Sequence, residues 1–173
     1  PSYDDHEVEN NWAGIHSVRD GGTRYPIAVP PEVFALRKAA AFQAWYEHMP
    51  VRRAAIPRGP DITAFRRLDF GALARVNVLD TRQFRDDQPC GDRNGAPCAE
   101  VSRPDAQMLG AAQEAWLLEG LSGSPARWNI LAQQVPMMRR RLRGGGIAMD
   151  KWDAYPAARQ RLLDGMVERR TPN

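Results

Sequence analysis

The stretch Tyr3–Trp12, YDDHEVENNW, packs two adjacent aspartates, a histidine, two glutamates and two asparagines into ten residues. Asp4 and Asp5 offer hard carboxylate oxygens, the donors that calcium, magnesium, manganese and ferric iron select. His6 can ligate a metal, donate a proton or hold a phosphoryl oxygen. In a loop that follows a strand, neighbouring side chains need not point to opposite faces, so several of these groups can converge. Taken alone, a DDH triplet reads more simply as a polar turn with an aspartate as helix cap.

The elements that must position this cluster alternate in type. Residues 1–12 read as the exit of a strand into a polar loop, followed by a connection punctuated by Pro26, Pro30 and Pro31. The spacing of Phe34, Ala41, Trp45 and Met49 predicts a helix over Glu32–Met49, ended by Pro50. Arg66–Phe70 and Arg75–Asp80 read as two strands around a turn at Gly71. A polar loop covers residues 83–104. A helix is expected from Asp105 or Ala106 to about Leu121, with Leu109, Ala112, Trp116 and Leu117 facing inward. RWNILAQQV (residues 127–135) reads as a third strand, Arg139–Gly146 as a mobile surface loop, and Pro156–Arg169 as a last helix. Alternating strands and helices imply an α/β layered domain with a thin sheet.

Composition narrows the classes. The chain is 43% hydrophobic and 26% charged over 173 residues, enough for one domain with a core. No run of 18 apolar residues occurs, so no membrane span is expected. Arginine outnumbers lysine 22 to 2, and basic residues cluster in RRRLR at 139–143. No aromatic-plus-basic pattern accompanies them, so nucleic acid is not expected as a specific partner. The two cysteines, Cys90 and Cys98, lie eight positions apart in a Gly/Pro/Asn-rich loop. They either close a small surface disulfide, which implies an oxidising compartment, or remain two thiols. Arg82 and Arg85 follow a strand end, where ligands gather in α/β folds. Arg82 is the candidate phosphate contact, and a salt bridge to Asp80, Asp86 or Asp87 is the alternative. His16, in a polar loop, and His48, at a helix end, read as non-catalytic.

YDDHEVENNW, WYEHMPVR at 45–52, LDFGALARVNVLDTRQFRDDQPC at 68–90, Q-x-x-WL at 113–117, NILAQQVPM at 129–137 and DKWDAYPAAR at 150–159 together resemble PhoD-type alkaline phosphatases. Those belong to the calcineurin-like metallophosphoesterase superfamily. The resemblance implies a layered α/β sandwich with metals at the carboxyl ends of strands, and an exported or cell-envelope enzyme that uses calcium and iron on phosphate-ester substrates. DDHE matches the superfamily's Gly-Asn-His-Asp/Glu motif. Asp5 then takes a metal-ligand position, with Asp4 a less regular second ligand. His6 contacts substrate as the catalytic residue, Glu7 orients His6 by a hydrogen bond, and Asn10 and Asn11 either bind phosphate oxygens or shape the loop.

The same resemblance implies further ligands that these residues do not contain: aspartate motifs upstream, and a GDxH strand expected near Arg170–Asn173. Residues 1–173 thus read as the central portion of a single metallophosphatase domain, truncated at both ends and expected to have little activity alone. The alternatives are a phospholipase D-like phosphodiesterase of the same family, or a non-catalytic metal- or phosphate-binding remnant.

Overall fold

Proline fixes φ and lacks an N–H, so it fits the first turn of a helix, where that donor would be unpaired in any case. Helix α1 (Pro31–His48) opens with Pro31, and α3 (Pro156–Glu168) with Pro156. In the computed structural model, which describes residues 1–19, 21–22 and 25–171, α1 falls within a residue of its expected span. Its inward face differs. Phe34, Lys38, Phe42 and Trp45 are buried, whereas Ala41 is half-buried and Met49 is exposed. Apolar spacing hid Lys38, whose Nζ donates to Gly14 O at 3.0 Å and lies 5.1 Å from the Trp12 ring centroid. Burial pulls its pKa down, and the aromatic faces and the carbonyl compensate for lost water.

Strands β1 (Arg66–Phe70), β2 (Ala74–Val78) and β3 (Trp128–Ala132) form a mixed sheet in the order β1-β2-β3. The β1–β2 hairpin is antiparallel, with Arg66 opposite Val78, and turns at Gly71, whose φ of 57° favours glycine. The β2–β3 pair is parallel, with Val76 opposite Ile130, and needs a long crossover. That crossover carries α2 (Ala111–Ser122). Arg67 and Arg75 of the hairpin donate to the carbonyls of Trp116 and Gly120, which ties α2 to the sheet.

Three expectations need correction. No strand lies among residues 1–12, which form turns. Asp80 falls outside β2, because its Oδ1 accepts the backbone N–H of Arg82 and of Gln83, both at 3.0 Å, and turns the chain. Helix α2 starts five or six residues later than expected. Gly110 precedes it at φ 71°, a conformation that stops helix growth backwards, so Ala106 and Leu109 enter the core from a loop. Ala112 is then exposed, and Gln113 takes the inward place. Of the stretch near which the downstream strand is expected to begin, Pro172 and Asn173 lie outside the described residues.

Two cores result. Leu79, Leu109, Leu117, Trp152 and Leu162 join the sheet's end to α2 and α3. The two helices approach closely where Gly165 faces Leu118. Tyr3, Trp12, Phe34, Phe42 and Trp45 pack the N-terminal turn on α1. Cys90 and Cys98 form the disulfide, with Cα atoms 5.8 Å apart. No helix among the described residues is long and apolar enough to cross a membrane.

Gly110 also tests the correction to α2. A Cβ there would meet Phe84 Cβ at 2.9 Å and would have to accept a positive φ. Gly110→Ala is expected to destabilise the fold by about 2 kcal/mol. Urea unfolding of both forms checks this, and an unchanged midpoint would refute it.

Candidate functional site

The DDHE turn is held from below. Val8 and Glu9 N–H both donate to Asp5 O, at 3.0 and 2.8 Å, and Asn11 N–H donates to Asp5 Oδ2 at 3.0 Å. Tyr3 and Trp12 bracket the turn and sink into the aromatic core. Glu9 accepts from Val18 N–H at 3.0 Å and pairs with Ser17 and Arg37, fastening the turn to the following loop and to α1.

Beneath Asp4 and Asp5 lies Arg82, fully buried. Its Nε donates to Asp4 Oδ1 at 2.7 Å, and its Nη2 sits 3.8 Å from Asp5 Oδ1. Its two terminal nitrogens make a bidentate pair with Asp150, at 2.6 and 3.0 Å. Asp150 also bonds Arg85 and, at 2.9 Å, Lys151. Burial pushes the Asp150 carboxyl up, but Arg85 and Arg82 outweigh it and hold the group well below the usual carboxylate range. Desolvation raises the Asp4 pKa despite the opposing Arg82 charge. It acts on Asp5 too, but the Asn11 N–H and Arg82 prevail and leave Asp5 lowered.

Arg82 itself is positioned by the segment after β2. Gln113 accepts Asp80 N–H and donates to Asp80 O, both at 2.8 Å. Gln134 accepts Thr81 N–H at 3.0 Å and donates to Leu79 O at 2.8 Å. Two glutamines, one from α2 and one beyond β3, therefore pair with the backbone on either side of a tight turn. Tyr3 OH closes the frame by donating to Asp80.

His6 stands on the surface with its side chain 78% exposed. Its Nε2 lies 3.2 Å from Asn10 Oδ1 and 3.7 Å from Asp5 Oδ2. Asn10 is exposed beside it. Glu7 makes no hydrogen bond to His6 among the described residues. Its Oε2 accepts Asp4 N–H at 2.8 Å, half of a capping box, because the Asp-x-x-Glu spacing returns the carboxylate to the start of its own turn. The expected alternative partners of Arg82 do not hold its side chain, since Asp4 and Asp150 take it. His16 and His48 are exposed and outside the cluster.

Sequence reasoning missed Asp150, Gln113 and Gln134 as site-shaping residues, although each falls inside a quoted motif. Asp92 was missed as well. Its Oδ1 is buried without a hydrogen-bond partner, and desolvation, then Asp150 and Asp87, push its pKa up to about 6 against the pull of Arg85 and Asn11.

Donor chemistry at Asp4 and Asp5 fits hard cations. Asp4 Oδ2 accepts no hydrogen bond among the described residues, and Asp5 Oδ1 faces only Arg82. Two carboxylates fall short of the six to eight oxygens calcium takes. Among the described residues, the one trio of potential ligands within 4.8 Å is Cys90, Cys98 and Glu100, whose cysteines are tied in the disulfide.

Comparison with known proteins supplies the context. A family model described as PhoD-like phosphatase matches residues 1–173. Alkaline phosphatase D of Bacillus subtilis (strain 168) is 44% identical over 166 residues, which cover 94% of this chain and 27% of that protein. A solved structure described as "Structure of PhoD" superposes with a TM-score of 0.85 at 42% identity, covering 97% of this chain and 31% of the other. The chain thus spans less than a third of the length of these relatives.

Asp150→Asn would leave Arg82 and Arg85 buried against a neutral amide. It is expected to cost about 3 kcal/mol of stability, read by urea unfolding, whereas a loss under 0.5 kcal/mol would refute the hub. Asp92 gives a pH signature of opposite sign to an ordinary ion-paired carboxylate. The unfolded group titrates near ~3.9, so between that pH and about 6 the folded chain keeps a proton the unfolded one gives up. Stability falls as pH rises through this window. Asp92→Asn should remove that fall, adding about 1 kcal/mol at pH 7 after allowing for solvent screening and nothing at pH 3. Thermal melts at both pH values check it, and a uniform shift would contradict it.

Proposed function

The chain belongs to the PhoD-like phosphatase family, and on that premise we propose that it forms part of a metal-dependent enzyme that hydrolyses phosphate esters. We read residues 1–173 as the central portion of a single metallophosphatase domain, with further metal ligands from segments outside this span. The carrying observation is the DDHE turn: two carboxylates fixed over one buried arginine, beside a solvent-facing histidine. Calcium and iron are the metals proposed, in keeping with the hard oxygen donors. The disulfide supports an exported or cell-envelope setting.

In this reading Asp5 and Asp4 hold metal. When bound, the metal ions supply Lewis acidity that activates water and neutralises phosphate charge. His6, free to reach outward, donates a proton to the leaving alkoxide or hydrogen-bonds the oxygen on which charge develops. Asn10 presents its amide to a phosphate oxygen while its Oδ1 restrains the His6 ring. Arg82 is too deeply buried here to be the first group a substrate meets. Its charge orients Asp4 and Asp5 and offsets their mutual repulsion, and that is the role we assign it in place of direct phosphate contact.

His6→Gln in the full-length protein is expected to lower kcat about 100-fold with little change in KM. Parallel assays on p-nitrophenyl phosphate and bis-p-nitrophenyl phosphate read this and separate monoester from diester preference. Chelation should abolish turnover, and readdition of calcium with iron should restore it. Turnover indifferent to chelator would sink the reading.

A further inference from the structure

The basic run at 139–143 has no part in the site described above. Arg139, Arg140 and Arg141 line a cleft of about 410 Å³ together with Arg159 of α3. One acidic residue, Asp153, joins them, so the lining carries a formal +3, equal to the net charge of all 173 residues. Asp153 is already engaged: its Oδ2 accepts Arg140 N–H at 2.8 Å, and its Oδ1 lies 3.4 Å from Arg159 Nη1. The side chains of Arg139, Arg140 and Arg141 have no ion-pair or hydrogen-bond partner among the described residues, and all three residues are exposed. Water and salt screen exposed guanidinium groups, but their summed field favours an anion in the cleft.

The cleft is not merely charged. Val101, Ile147 and Pro156 give it apolar walls. Pro156 also opens α3, where Tyr155 provides no side-chain cap, so the positive end of a 13-residue helix adds to the arginine field. The volume lies within the range of small-molecule sites, and guanidinium groups match phosphate bidentately.

We propose that this cleft is a second binding site, distinct from the DDHE turn, for a small organic phosphate: phosphate on the arginines, carbon body against the apolar walls. The site binds without cleaving, since no ligand trio or nucleophile lines it. It is therefore independent of the phosphatase reading and is tested by binding.

The experiment is calorimetric titration of the full-length, metal-loaded protein with phenylphosphonate, which cannot be hydrolysed. Two classes of site are expected, one at the metals and one in the cleft. The triple variant R139S/R140S/R141S should weaken the second class at least about 30-fold and leave p-nitrophenyl phosphate turnover unchanged. The charge-keeping triple lysine variant should retain measurable binding, which separates lost charge from lost fold. Inorganic phosphate, unable to fill the apolar walls, should bind the cleft about tenfold more weakly than phenylphosphonate. Identical titrations for wild type and serine variant would overturn the proposal, whether one or two classes of site are seen; a single class that the serine variant loses would support the cleft and count against the metal site alone.

Discussion

A guanidinium cannot be removed from water unless its charge is met, and Arg82 is fully buried. Its neutralisation by Asp150 below and Asp4 above therefore constrains three distant pieces of chain at once: the N-terminal turn, the segment after β2 and the segment before α3. None of the three can shift without exposing or stranding a charge. Arg85 adds a second cation to the same aspartate, so Asp150 is the carboxylate that meets both arginine charges. The DDHE carboxylates consequently rest on a preset electrostatic floor, and their orientation does not depend on the turn's own short hydrogen bonds alone.

That floor in turn rests on backbone accounting. Leu79 to Arg82 are fully buried, yet beyond the Leu79 N–H, which still reaches Ala132 O of β3 at 2.8 Å, they leave the sheet too early to be paired by a strand. Buried peptide groups must be bonded, and here side-chain amides do it. Gln113 and Gln134 each present a donor and an acceptor on one planar group, which lets each mimic a neighbouring strand for one peptide unit. The parallel β2–β3 pair and the α2 crossover exist, from the site's point of view, to bring those two amides to the same turn.

Legibility in the sequence followed from what kind of force fixes each element. Helices α1 and α3 could be read because burial of apolar side chains leaves a period and proline marks the first turn; the strands were legible from short apolar runs and the turn at Gly71, although Phe70, Trp128 and Ile130 stand exposed. The DDHE cluster and the cysteine pair were legible as dense, chemically distinctive groups. Lys38, Gln113, Gln134 and Asp150 were not, because a polar residue that serves a buried partner looks, in one dimension, like any solvated residue. Glu7 shows the converse: a residue assigned to chemistry by its neighbours bonds its own turn, since its carboxylate meets the Asp4 N–H while the His6 ring faces Asn10 and Asp5. Gly110 was passed over because an apolar pattern continued through it, while backbone conformation, which the pattern does not encode, ended the helix.

The glutamine clamps carry a consequence for the solvent conditions the turn can withstand. An amide has no proton to lose in water, so these links keep their donors and acceptors in alkali. The neighbouring links share that property by other means: arginine stays protonated, and Arg82 is shifted further upward by its carboxylates against the cost of burial. Tyr3, the one phenol in the frame, is driven well above its ordinary range by burial and by Asp80. In alkaline solution the arginine, glutamine and Tyr3 links under the turn therefore keep their protons, and base can alter what sits on them without loosening what holds it.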